Sequence, residues 1–155
     1  MSVEKVREYF KALGAENMVV ELGESCATVE LAAQALGCEN SRIAKTLSFH
    51  VGDKVVLIVT SGDSKIDNPK YKAQFGTKAK MLAFDEAELL IGHAVGGVCP
   101  FAVNDGVEVY LDESMKRFDT IYPACGSSNS LAKMTIAELE KYSNYISWVD
   151  VCKFV

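Results

Sequence analysis

The run Val55-Val56-Leu57-Ile58-Val59-Thr60 constrains the fold most tightly. It is apolar without alternation, so as a strand it buries both of its faces. Gly52-Asp53, just before it, is a hairpin-turn signal. The turn joins it to an earlier strand, Ile43-Ala44-Lys45-Thr46-Leu47-Ser48-Phe49. Side chains alternate across a strand, so Ile43, Lys45, Leu47 and Phe49 share one face and the opposite face is small and polar. Lys45 interrupts an otherwise apolar face. Such a lysine either snorkels its ammonium to water at a sheet edge or enters a pocket, and periodicity alone favours snorkelling.

The remaining elements follow from caps and breakers. Ser2 caps a first helix with the stripe Val3, Val6, Phe10 and Leu13, stopped by Gly14. Thr28 caps a second through Leu31, Ala32, Ala35 and Leu36, closed by Gly37. Asn68-Pro69 opens a third, with Asn68 as cap, ended by Gly76. Ala79 to Phe84 reads as a strand. Capping-box patterns at Asp85-Glu86-Ala87-Glu88 and Thr135-Ile136-Ala137-Glu138 start helices toward Gly92 and Tyr142. Strands are expected at Val107 to Leu111, Asp119 to Tyr122, Ser130 to Met134 and Ile146 to Phe154, the last with Trp148 in the core. Asp112 reads as a solvated strand-end residue. No regular βαβ rhythm appears, which favours an α+β domain with a mixed or largely antiparallel sheet and helices packed on it. Residues 1–155 form one domain, since no linker or repeat is visible.

Composition excludes several function classes. No apolar run approaches a membrane span, so no membrane partner is expected, and the charged, amphipathic Met1 to Phe10 is not a signal peptide. Five widely spaced cysteines without a CxxC argue for reduced thiols in the cytoplasm. His50 and His93 are not spaced for shared ligation, so neither a metal nor another cofactor is implied. A net charge of −5 argues against a general nucleic-acid binder. Lys65, Lys70, Lys72, Lys78 and Lys80 nevertheless cluster against a single Asp67. They form a solvated helix face or a local, salt-dependent RNA contact.

Two loops stand out. Gly92-His93-Ala94-Val95-Gly96-Gly97-Val98-Cys99-Pro100-Phe101 is too glycine-rich for a helix and too apolar for an ordinary surface loop. Its backbone N–H groups are suited to a carbonyl or oxyanion. It matches neither the GxxxxGK[ST] nor the GxGxxG spacing. Cys99 could act as a nucleophile only if His93 folds back onto it, and cysteine is more often a small buried hydrophobe. Pro123-Ala124-Cys125-Gly126-Ser127-Ser128-Asn129-Ser130 is small and polar, a plain turn or a substrate-contacting loop.

Taken in order, Ile43-Ala44-Lys45-Thr46-Leu47, Gly96-Gly97-Val98-Cys99-Pro100-Phe101, Val109-Tyr110-Leu111-Asp112-Glu113-Ser114 and the Cys125-Gly126 loop resemble the YbaK/prolyl-tRNA synthetase-associated domain family. The resemblance runs from about Thr28 to Val151. It implies a mixed, partly barrel-like β-sheet with surrounding helices. It implies hydrolysis of the ester of mischarged tRNA, assisted by a ribose hydroxyl of the tRNA itself. Lys45, Gly96 and Pro100 would carry catalysis, Lys45 by electrostatic positioning. Thr46, Gly97, Val98, Cys99, Gly126 and Asn129 would contact substrate. The implied partners are the acceptor end of mischarged aminoacyl-tRNA and prolyl-tRNA synthetase.

The chain departs from some family members in two places. It has Ser127, Ser128 and Asn129 where some carry a histidine, and it lacks the arginine that some cysteine-removing members place before the paired glycines. Alanine, cysteine and serine therefore all remain as the amino acid removed, from tRNA(Pro). A catalytically silent module that binds aminoacyl-tRNA or a synthetase is the alternative, and thiol chemistry at Cys99 a third.

Overall fold

The computed structural model describes residues 2–155, with side chains from Val3 onward, so the expected Ser2 side-chain cap lies outside what is described. Five α-helices accompany ten strands among these residues. The helices are α1 (Ser2–Ala12), α2 (Val29–Leu36), α3 (Asn68–Phe75), α4 (Phe84–Ile91) and α5 (Ile136–Tyr142). The strands are β1 (Val19–Glu21), β2 (Ile43–Val51), β3 (Lys54–Ser61), β4 (Ser64–Ile66), β5 (Glu108–Asp112), β6 (Thr120–Pro123), β7 (Ser130–Ala132), β8 (Met134–Thr135), β9 (Ser147–Val149) and β10 (Cys152–Phe154).

Six strands form a curled half-barrel in the order β8-β6-β2-β3-β5-β9, and β1-β7 and β4-β10 are two-stranded ribbons. The sheet is mixed but not largely antiparallel. β2/β3 and β6/β8 are antiparallel, whereas β2/β6, β3/β5 and β5/β9 are parallel.

β3 is buried on both faces, as its sequence predicts. Leu57 and Val59 enter a core with Val6 and Phe10 of α1, Ile91 of α4 and Leu139 of α5. Val56 and Ile58 enter a second core with Phe49, Tyr71, Val149 and Val151. Each such side chain contributes about 1.5–3 kcal/mol, so β3 fastens both layers. A third, smaller core joins Ala32 and Ala33 of α2 to Cys26, Ile43 and Leu131. It lies at the N-terminal end of β2, where Lys45 is.

Several expectations need correction. Leu13 falls beyond the end of α1 and is exposed, and Leu31 is exposed while Ala33 is buried. Asp67, not Asn68, caps α3, accepting from the Lys70 N–H at 3.1 Å. Asp85 lies in the first turn of α4; the cap is Ala83, whose N–H donates to the Glu86 carboxylate at 2.8 Å. Ala79 to Phe84 forms no strand. It runs along β2 only through a Met81–Phe49 bridge and the His50–Lys80 and Leu82–Ser48 backbone bonds, before α4 takes over. Ser130 to Met134 and Ile146 to Phe154 each split in two because the chain changes partners. β7 pairs with β1 and β8 with β6; β9 pairs with β5 and β10 with β4. Trp148 is only half-buried, its Nε1–H donating to Glu140 at 2.9 Å.

Asp112 is not solvated: it is 1% exposed. Its Oδ1 accepts from the Val151 N–H at 3.0 Å and its Oδ2 from the Ser114 N–H at 2.9 Å. Val151 is the break between β9 and β10, where the ladder cannot satisfy that N–H. One carboxylate thus ties the end of β5 to the change of strand partner. Asp112→Ala strands two buried donors and should cost about 2–5 kcal/mol in urea unfolding. Asp112→Asn, which keeps one acceptor, should lose less.

Candidate active site

Lys45, Thr46, Gly96 and Val98 line one cavity of about 130 Å³, together with Cys26 to Val29, Ala32, Ile43, Ala44, Ala124 and Leu131. Four sequence-predicted residues therefore meet at one place. The Lys45 ammonium donates to the Ser64 carbonyl. It is thus neither free in solvent nor aimed solely into the cavity. An ammonium carries three N–H donors, so this bond anchors it and leaves two.

Ser64 is itself held. Its hydroxyl lies 2.6 Å from that of Ser61, which donates to Asp63 at 2.7 Å and accepts from Arg117 at 3.0 Å. Arg117 also bonds the Asp63 carboxylate at 2.7 Å and 3.1 Å. The guanidinium holds the Asp63 carboxyl below its ordinary range. These residues gave no sequence signal, because they act at a distance through a carbonyl.

The glycine-rich loop approaches the cavity by a close backbone contact. A Cβ added to Gly97 would lie 2.5 Å from the Gly126 carbonyl carbon and 2.6 Å from the Ser127 nitrogen. Only glycine lets the two loops touch there. Gly97 and Gly126 lie on an open groove outside the cavity, with Ser127 and Ser128. The Gly97 N–H donates to Ala94 at 3.0 Å. Among the described residues nothing accepts from the Gly96 or Val98 N–H. Neither amide, on these cavity-lining residues, is committed to an internal acceptor.

Three other predicted residues line neither space. Pro100 is buried and leads into Phe101, whose ring packs on Phe10 with centroids 5.0 Å apart. Asn129 is a brace: its amide donates to the Leu22 carbonyl at 3.0 Å and accepts from Ser127 at 2.9 Å. Cys99 is fully buried, and the loop does fold back to bring its sulfur 3.5 Å from His93 Nε2. That pair is not poised for attack. His93 Nε2 is 2.7 Å from the Phe101 carbonyl, which can only accept, so Nε2 carries the proton and cannot take one from the thiol. Burial pushes the Cys99 thiol up to about 12 and holds His93 below the ordinary imidazole range.

Residues the sequence reading missed are Cys26, Ala27, Ala124 and Leu131, which line the cavity from the α2 entry, from just past β6 and from β7. Small apolar residues look alike whether they wall a cavity or fill a core.

Known proteins share this chain's sequence and fold. Residues 23–142 match the family model described as the aminoacyl-tRNA editing domain. The chain is 51% identical over 154 residues to the uncharacterized protein YwhH of Bacillus subtilis, covering 99% of this chain and 98% of that one. It is 28% identical over 101 residues to a proline–tRNA ligase of Bacillus cytotoxicus, of whose length it spans 18%. Among solved structures, one described as a "putative trans-editing enzyme for prolyl tRNA synthetase" superposes with a TM-score of 0.88 at 29% identity, over 98% of this chain and 97% of that one. The chain belongs to the aminoacyl-tRNA editing domain family.

Proposed function

We propose that the chain is a trans-editing deacylase that hydrolyses the ester of mischarged tRNA. The observation that supports this most is the convergence of Lys45, Gly96 and Val98 on one small cavity. An aminoacyl ester is already activated, so polarisation and placement suffice without a protein nucleophile. Water adds to the ester carbonyl and the developing oxyanion is received by the Gly96 and Val98 N–H groups. The tetrahedral carbon then expels the ribose oxygen, which takes the proton that the water loses. The products are a free amino acid and a tRNA with a free terminal hydroxyl. Lys45 positions phosphate or ribose oxygens through its two remaining donors.

The likeness to a proline–tRNA ligase supports tRNA(Pro) as the carrier and that synthetase as a partner. The small apolar wall of Ala27, Val29, Ala32 and Ala44 supports a small amino acid: alanine, serine or cysteine. Five free cysteines suit the reducing cytoplasm, where aminoacyl-tRNA is made.

Ala-, Ser- and Cys-charged tRNA(Pro) form the direct test. At least one should lose its amino acid well above the buffer rate, and Lys45→Ala should lower that rate about 10²-fold. Binding without turnover would show a silent module instead; an unaffected Lys45→Ala would remove Lys45 from the chemistry. Cys99 separates the thiol mechanism. With its pKa about 12, roughly one thiol in 10⁵ is ionised at neutral pH. Iodoacetamide at pH 8 should leave Cys99 unlabelled in the folded protein and label it in urea. Rapid labelling in the folded state that parallels loss of activity would reinstate the nucleophile.

A further inference from the structure

The Ser64 carbonyl that receives the Lys45 ammonium belongs to the peptide bond leading into Lys65 of β4. β4 pairs antiparallel with β10, and Lys65 stands directly opposite Lys153. Ser64 and Cys152 are buried while the two lysines are exposed, so both lysine side chains leave the same outward face of the ribbon. Lys45 is close to both strands. It bonds Ser64 on β4. On β10, burial and then Asp112 push the Cys152 thiol up to about 12, and Lys45 is the cation that opposes them. Three ammonium groups are thus gathered from the cavity outward.

Neither Lys65 nor Lys153 forms an ion pair among the described residues. The acidic groups beside them along the chain are committed elsewhere. Asp63 is held by Arg117 at 2.7 Å, Asp150 by Lys70 at 3.0 Å, and Asp67 caps α3. Like charges directly opposite each other on paired strands repel. A lysine that only guards an open edge needs no second one facing it. An anion seated between the two turns the repulsion into two charge-assisted contacts.

We propose that Lys65 and Lys153 form a phosphate-binding pair that holds the RNA backbone where it leaves the cavity. This deepens the deacylase reading and rests on it for the identity of the RNA. Directly opposed residues have Cα atoms about 4.5–5.5 Å apart, within reach of one phosphate for both side chains. A free phosphate ion or an acidic peptide would use the pair but not its link to Lys45. An RNA strand whose terminal ester lies in the cavity carries its own phosphates along that row.

The test is anisotropy of fluorescently labelled, uncharged tRNA(Pro) from about 50 to 200 mM salt, which needs no turnover. Lys65→Gln/Lys153→Gln should weaken binding about tenfold at the low end and reduce the salt slope by about 1.4, or 0.7 for each lost single-strand contact. On charged tRNA(Pro) it should raise KM and leave kcat unchanged. Lys11→Gln/Lys141→Gln removes the same charge from exposed positions on α1 and α5 and should change affinity by less than about twofold. Lys153→Glu puts an acid opposite Lys65, so its melting temperature should rise while affinity falls.

Unchanged tRNA affinity in the Lys65/Lys153 variant, or an equal fall in the Lys11/Lys141 variant, overturns the proposal. So does a lower melting temperature in Lys153→Glu, which would make the lysine structural. Unchanged tRNA affinity with weaker binding of prolyl-tRNA synthetase makes the pair a protein contact and also overturns it. Hydrolysis whose KM ignores the pair overturns the pair and leaves the deacylase intact. Binding of tRNA(Pro) that depends on the pair, without hydrolysis of any charged form, overturns the deacylase and upholds the pair.

Discussion

The double burial of β3 is the constraint from which the rest of the molecule follows. Leu57 and Val59 on one side and Val56 and Ile58 on the other leave no solvent face. Helices α1, α4 and α5 close one side, while α3 and the β9–β10 segment close the other. With β3 fixed at the centre, its antiparallel neighbour β2 has one long edge bonded from Ala44 to Val51. Its other edge is paired by β6 only at Ile43 and Ala44. The cavity gathers beside that end, where α2 and the two loops reach the sheet. A fully laddered β2 would leave little room for it.

The backbone does more at this site than the side chains do. Gly97 against Gly126 sets how closely the loops approach, and the Ser64 carbonyl sets where the Lys45 ammonium stands. Both are fixed by folding before any ligand arrives, which is the preorganisation that the proposed hydrolysis of a labile ester would use. The buried Cys99–His93 pair is an internal prop by the same measure. Its protons are already placed on the Phe101 carbonyl, and its burial works against ionisation.

The legible part of the sequence was the part governed by local rules. The β2–β3 hairpin, the Thr28 cap and the Thr135–Glu138 capping box involve neighbours, and all three are present. Lys45 was identified from alternation as a charge out of place, and the loop from its glycines. What could not be read depended on remote partners. Asp112 looks solvated beside its neighbours and is buried because Val151 needs an acceptor 39 residues away. The two split strands look continuous because nothing local marks a change of partner. Ser64 and Asn129 act through single bonds to distant backbone. Cys99 and Pro100 were expected at the site because of the loop they share with Gly96, yet the loop turns them inward.

Charge divides recognition from chemistry. The chain carries a net charge of −5, and a tRNA is a dense polyanion, so long-range attraction cannot dominate their encounter. The lysine-rich stretch offers little relief. Lys70 is tied to Asp150 at 3.0 Å and to the Cys152 carbonyl at 3.1 Å, and Lys80 lies beside the Glu86 carboxylate. Lys65, Lys72 and Lys78 are exposed, a small number of phosphate contacts with a correspondingly modest salt slope. If tRNA is the substrate, as proposed, weak attraction leaves selection to the cavity, whose volume of about 130 Å³ would exclude bulky side chains by size. It also limits the time for which any correctly charged tRNA is retained. For the deacylase proposed above, which would act on rare errors among many correct molecules, weak attraction outside and strict fit inside would be complementary requirements rather than a deficiency.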